Sequence, residues 1–304
     1  MRTWEKRTAA EDAGKTLERF LREQGFSKKE ISRLKFRERG MRVDGMQCRS
    51  TEILRAGQNI VLRLEDQNAA QCILGEHQTP PDIGYEDGDV LVLNKPSGMS
   101  CHPGRGHYQD SLGFIAGEYL ASRGEPCTLR PVGRLDKDTS GAVVFAKNQA
   151  AAARLWKQRE DGVFHKTYQA VIHGRLTPDA GEVALPLEKT PGEKNRMRAA
   201  EPGCGLWACT RYRTREVLET EDGVLSLVEY TLKTGRTHQI RVHMASLGHP
   251  IAGDPIYGIP DGAGRLLLHA ERVEFRQPFT GNCISLQFFS PFCQLDLDYF
   301  GRTL

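Results

Sequence analysis

The sequence predicts an α+β protein: a mixed, mostly antiparallel sheet with flanking helices, preceded by a small α/β unit at the N-terminus. Three observations carry this reading. From residue 83 onward, short apolar runs of strand length recur between glycine-bearing turns, with helix-length segments among them. Residues 14–64 hold two short helical patterns followed by a tight-turn signal. Between the two parts, residues 65–82 are polar and contain Pro80 and Pro81, the composition of a linker. The expected organisation is a small domain over 1–66, a linker over 67–82 and a larger domain over 83–304.

In the small unit, Leu17, Phe20 and Leu21 fall at the i, i+3, i+4 spacing of an amphipathic helix over 15–24, which Gly25 ends. Ser27 caps a second helix, and Glu30 three residues on completes a capping box. Ile31 and Leu34 supply its apolar side, and Gly40 stops it. Segments 41–43 and 46–48 flank Asp44-Gly45, a two-residue hairpin turn, and 60–62 adds a strand. From Ser27 to Arg42 there are seven Lys or Arg residues, Lys28, Lys29, Arg33 and Arg37 among them, against two Glu. The whole-chain charge of +3 does not announce a nucleic-acid binder, but this local density suits phosphate contacts. A solvated helix face is the plainer alternative.

Helix, helix, hairpin with a basic second helix resembles the S4 RNA-binding module. The resemblance rests on Thr16-Leu17-Glu18-Arg19-Phe20-Leu21, on Ser27, Ile31 and Arg33, and on Val43-Asp44-Gly45. It implies docking on structured RNA rather than chemistry.

In the larger domain, strands are expected over 89–93, 141–146, 167–173, 225–232 and 284–289, with helices over 111–123, 149–160 and 237–247. For the last helix, Thr237 is the expected N-cap and Ile240, Met244 and Leu247 the buried stripe. Gly248 and Pro250 mark its end. No glycine-rich phosphate loop follows any strand, so no nucleotide cofactor is indicated. The longest apolar runs, 90–93 and 266–268, are too short to span a bilayer, and no signal peptide opens the chain; a cytoplasmic location is expected. The eight cysteines form no C-x-x-C pair and read as reduced thiols. His238, His243 and His249 are spaced by five and six rather than four, so no metal is expected. No motif demands a dimer, and a monomer is expected.

Chemistry concentrates in Gly133-Arg134-Leu135-Asp136-Lys137-Asp138-Thr139-Ser140-Gly141, a loop with two carboxylates and two hydroxyls that runs into an apolar strand. A rigid strand behind such a loop is a common way to build a site. By residue type alone, Asp136 can serve as nucleophile or base, or it can be an ordinary turn residue.

Arg134-Leu135-Asp136, with Thr139-Ser140-Gly141 and Ala146-Lys147 behind it, resembles the central motif of the large-subunit-type (RluA-family) pseudouridine synthases. Three further segments match in order: Asn94-Lys95-Pro96-Ser97-Gly98-Met99 with His102-Pro103, then Lys166-Thr167-Tyr168, then Thr234-Gly235-Arg236-Thr237-His238-Gln239-Ile240-Arg241-Val242-His243. Gly248-His249-Pro250-Ile251, Gly253-Asp254 and Leu268-His269-Ala270 follow. One departure is that Gly133 stands where the family commonly has His.

The resemblance implies an isomerase that turns specific uridines into pseudouridine in structured RNA, 23S rRNA first and tRNA second, with no cofactor and no metal. Asp136, Tyr168 and Arg241 would be the catalytic residues. Arg134, Lys95, Lys166, Arg236, His238 and Leu268 would meet the substrate, with Arg134 entering the RNA stack where the uridine flips out. The reaction breaks N1–C1′, turns the uracil and rejoins it through C5, losing only the C5 proton. Asp136 would act at C1′ as nucleophile or at C2′ as base, with Arg241 as its bidentate partner. The rivals are a binding-only ribosome-assembly protein that keeps the fold, and a hydrolase using Asp136 and Asp138 as a carboxylate pair.

Overall fold

A computed structural model describes residues 3–36, 40–64, 80–104, 109–193, 195–201, 203–220, 223–290 and 292. Arg37 and most of the expected linker lie outside the described residues.

The N-terminal part opens with β1 (Thr3–Arg7), followed by α1 (Leu17–Glu23), α2 (Lys28–Lys35), β2 (Met41–Val43), β3 (Met46–Gln47) and β4 (Asn59–Arg63). Its four-stranded antiparallel sheet has the order β1-β4-β2-β3. Local chemistry sets the helix starts. The Thr16 hydroxyl accepts from the Arg19 amide, and Ser27 and Glu30 form the reciprocal capping box expected of them. Asp44 and Gly45 both take positive φ, 50° and 81°, as a tight primed hairpin turn requires. Leu17, Phe20, Leu21, Ile31, Leu34, Ile60 and Leu62 form a core, to which Ala150 also belongs. β1, which completes the sheet, was not foreseen.

The larger part comprises β5 (Ile83–Glu86), β6 (Val90–Lys95), α3 (Leu112–Ser122), β7 (Arg130–Pro131), β8 (Ser140–Ala146), α4 (Gln149–Glu160), β9 (His165–His173) and β10 (Ala180–Ala184). It continues through β11 (Leu187–Lys189), β12 (Met197–Ala199), β13 (Cys209–Thr220), β14 (Gly223–Leu232), α5 (Gln239–Ser246), β15 (Leu268–Arg276) and β16 (Cys283–Gln287). The main sheet runs β10-β13-β14-β9-β15-β8-β6-β5, with β16 on β15 and β7 on β8, and β11 pairs with β12 apart from it. Its one parallel pairing among the described residues is the short β8–β15 contact. The class is therefore the mixed, mostly antiparallel α+β expected. Among the described residues no helix is long and apolar enough to cross a membrane.

β8 lies at the centre, with all seven residues buried. Gly141 begins its apolar run at φ 107°, and a Cβ there would collide with the carbonyl of Ala270 in β15. That close approach puts Gly141, Ala270 and Tyr168 in register across three strands. The N-terminal part rests on α4. The Arg154 guanidinium lies against the rings of Phe26 and Phe279, at 4.3 and 4.4 Å from their centroids, and its Nη2 donates to the Gln24 carbonyl at 3.1 Å.

Two details of α5 correct the expectation. It starts at Gln239, and its N-cap is His238 in a left-handed conformation (φ 56°), not Thr237. The Gln239 side chain fixes this entry instead: it accepts from the Arg236 amide and the Thr234 hydroxyl and donates to the Cys209 carbonyl. Leu247 is 41% exposed, so only Ile240 and Met244 of the expected stripe are buried.

Candidate active site

Asp136 is half-buried in the loop between β7 and β8. The 95–101 segment straps that loop from behind. Lys95 Nζ donates to the carbonyls of Pro96, Met99 and Lys137 at 2.7–2.8 Å. The Ser97 hydroxyl donates to the Asp138 carbonyl at 2.7 Å, and Cys101 Sγ exchanges bonds with the Leu135 amide and carbonyl at 3.3 Å. Lys95 was expected to meet substrate. It is 0% exposed and all three of its donors are engaged by backbone, so it braces the loop instead. Burial lowers its pKa to about 8.

Tyr168 sits on β9 across Ala270 from the end of the loop and is 9% exposed. Burial raises its hydroxyl pKa far above the usual range; the Arg159 guanidinium opposes this and the Asp136 charge adds to it. Two residues back, Lys166 is half-buried, donates to the Ala142 carbonyl at 2.7 Å and is lowered by burial to about 8.

The segment around α5 closes the opposite side. Arg241 is 1% exposed and makes a bidentate pair with Asp254, Nε to Oδ2 at 2.7 Å and Nη2 to Oδ1 at 2.6 Å. Asp254 Oδ1 also accepts from the amides of Ile256 and Tyr257. Burial alone would lower the Arg241 pKa, but Asp254 outweighs it and the net shift is upward. The expected bidentate partner was Asp136. That carboxylate has no hydrogen bond or ion pair among the described residues and acts on Arg241 through its field alone. The Asp136 charge also acts on Lys95, Tyr168 and His238.

His238 stands 2.9 Å from the Tyr257 hydroxyl, and burial lowers its pKa. Arg134 is exposed and donates to the Thr237 hydroxyl at 2.9 Å, bridging the loop to the α5 segment. Arg236 is exposed and donates to the Trp207 carbonyl at 3.1 Å. Leu268 was expected at the substrate, but at 3% exposure it packs in the main core. Lys28, Lys29 and Arg33 are exposed on α2. Among the described residues no group of His, Cys, Asp and Glu can hold a metal ion.

Gly253-Asp254 stands out in the sequence but its partnership with Arg241 does not, nor do Ser97, Cys101 and Thr237 as supports of the site. Contacts over such separations leave no periodic signal.

A half-buried carboxylate whose charge acts on a buried Tyr and a buried Arg is a candidate catalytic group. The model of the RNA pseudouridylate synthase family matches residues 89–246, and the chain belongs to that family, whose members are isomerases. Among its relatives, an uncharacterized RNA pseudouridine synthase of Bacillus subtilis, YhcT, is 38% identical over 76% of this chain and 75% of its own. The ribosomal large subunit pseudouridine synthase D of Zymomonas mobilis is 38% identical over 66% of this chain and 67% of its own. Of solved structures, the human RNA pseudouridylate synthase domain containing 1 superposes with a TM-score of 0.57 at 26% identity, over 70% of this chain and 84% of that one.

Proposed function

We propose that this enzyme converts uridine to pseudouridine in ribosomal RNA of the large subunit, using Asp136 as the catalytic carboxylate and no cofactor. The observation that carries the reading is the isolation of Asp136. Its oxygens have no hydrogen-bond partner among the described residues, yet its charge acts on Tyr168, Arg241 and His238. A carboxylate so placed is free to meet the sugar of an extruded nucleotide, at C1′ as nucleophile or at C2′ as base. Tyr168 packs against the uracil and assists removal of the C5 proton. Arg241, locked by Asp254, supplies fixed positive charge beside the reacting carboxylate.

Arg134 fills the space that the flipped base leaves, since a guanidinium plane stacks on bases. The exposed cations of α2 add phosphate contacts, and Phe36 at its end, 87% exposed, offers a ring for stacking. The ribosomal target is supported by the large-subunit synthase D relatives.

The test is tritium release from 23S rRNA labelled at uridine C5, followed by pseudouridine mapping in cells with and without the protein. Release together with one or a few missing pseudouridines in 23S rRNA is expected. Release from tRNA alone would move the target, and no release from any cellular RNA would leave a binding-only protein. Free uracil or a cut strand would point to a hydrolase.

A further inference from the structure

Arg159, near the C-terminal end of α4, points into the site rim, and two glycines make room for it. At Gly133, in the Asp136 loop, a Cβ would lie 2.5 Å from Arg159 Nη1. At Gly235, in the segment before α5, a Cβ would strike Nη2. The guanidinium is thus laid across both backbones that border the site. Where the family's motif commonly carries an imidazole before Arg134, this chain has no side chain and an arginine from another element in its place.

The guanidinium is half-buried, yet it makes no hydrogen bond or ion pair among the described residues. Its one ring contact among the described residues is the half-exposed Trp156, 5.2 Å from the centroid. A planar cation held in a slot with its donors unused suits a bidentate oxyanion. Exposed Arg134 and Arg236 flank the slot. The charge of Arg159 reaches Lys166 and Tyr168, so it stands close to the reacting base.

We propose that Arg159, admitted by Gly133 and Gly235, clamps a phosphodiester group of the RNA backbone next to the extruded nucleotide. The inference rests on the pseudouridine synthase reading given above. The clamp fixes the sugar over Asp136 by holding the phosphate attached to it.

The experiment compares the full-length enzyme with Arg159→Ala, Arg159→Lys, Gly235→Ala and the Gly235→Ala/Arg159→Ala double variant. Each is assayed by tritium release and by RNA binding across a salt series, on a 23S rRNA transcript. Arg159→Ala should raise KM about tenfold or more, the loss of one charge-assisted contact. It should also flatten the slope of log Kd against log salt by about 0.7–0.9. Arg159→Lys should recover the slope but only part of KM. Gly235 has no positive φ, so Gly235→Ala displaces the guanidinium without straining the backbone. It should mimic Arg159→Ala and add nothing in the double variant.

An unchanged salt slope in Arg159→Ala, or a Gly235→Ala effect that is undiminished in the double variant, overturns the clamp. A merely structural Arg159 would lower Tm and kcat and leave the slope alone. If the native protein releases no tritium, the enzymatic reading fails, whereas the binding series still decides whether Arg159 holds a phosphate.

Discussion

Asp136 and Asp254 are two carboxylates near one guanidinium with opposite physical situations. Asp254 is buried and accepts four bonds, two from Arg241 and two from backbone amides. Removing it leaves the Arg241 charge buried without a partner, a loss of about 3–5 kcal/mol. Asp254→Ala should therefore lower Tm markedly and abolish turnover together. Asp136 holds up nothing: it is half-buried and has no bond to lose. Asp136→Asn should leave the thermal melt and the RNA Kd unchanged within about twofold, while tritium release disappears. An Asp136→Asn protein that melts like an Asp254→Ala protein would remove the distinction. The sequence brought Asp136, Tyr168 and Arg241 into view, but not which carboxylate Arg241 binds. Asp254 lies outside the helix that carries Arg241, so no helical spacing connects them.

At the scale of elements, β8 and β15 set the site because they bring the loop end beside Tyr168. Their short parallel pairing is reinforced by a side-chain bond. His269 Nε2 faces the Phe288 carbonyl at 2.9 Å and must donate to it, so Nδ1 accepts from the Ser140 hydroxyl at 2.8 Å. Only the neutral ring can do both. Burial lowers the His269 pKa from 6.5 to about 4. The unfolded chain then binds more protons between these values, and the fold loses stability as pH falls through that window. At ~1.4 kcal/mol per pH unit, the loss is on the order of 3 kcal/mol. Denaturant unfolding at pH 7 and pH 4.5 should show it, and His269→Gln, which keeps the donor to Phe288, should reduce the pH dependence at some cost in stability.

Elements with apolar runs, such as β6, β8 and β9, were legible in the sequence, as were the capped helices α1 and α2. β1 was not, because Glu5, Lys6 and Arg7 give it three consecutive charges, and only pairing with β4 makes it a strand. β13 escaped for the same reason: Arg211, Arg213 and Arg215 alternate along it, and its partner β14 supplies the order.

For the whole molecule, the question is whether the N-terminal part and the larger part share one RNA. The cations on α2 predict that deleting residues 1–80 weakens binding to large structured RNA and its salt dependence, while turnover on a short RNA persists. Unchanged affinity at physiological salt would show that this part does not hold RNA. Arg154 makes a second expectation. It joins the two parts through Phe26, Phe279 and the Gln24 carbonyl, and Glu30 lies 3.9 Å from it. Arg154→Ala should loosen that junction, uncovering the Phe26 and Phe279 rings at its edge. Limited proteolysis should then cut faster between the parts, and turnover on a large RNA should fall more than on a short one. Equal losses on both would place the defect in the catalytic part.

Seating one cation against a ring from each part also has a geometric consequence. The two rings also meet each other, 6.3 Å between centroids, so sliding one part past the other would uncover all three groups at once. If both parts hold the same RNA, a uridine would be selected partly by its distance from a stem held at α2. Moving that stem by a few base pairs in a transcript should cost more turnover than changing the letters around the target.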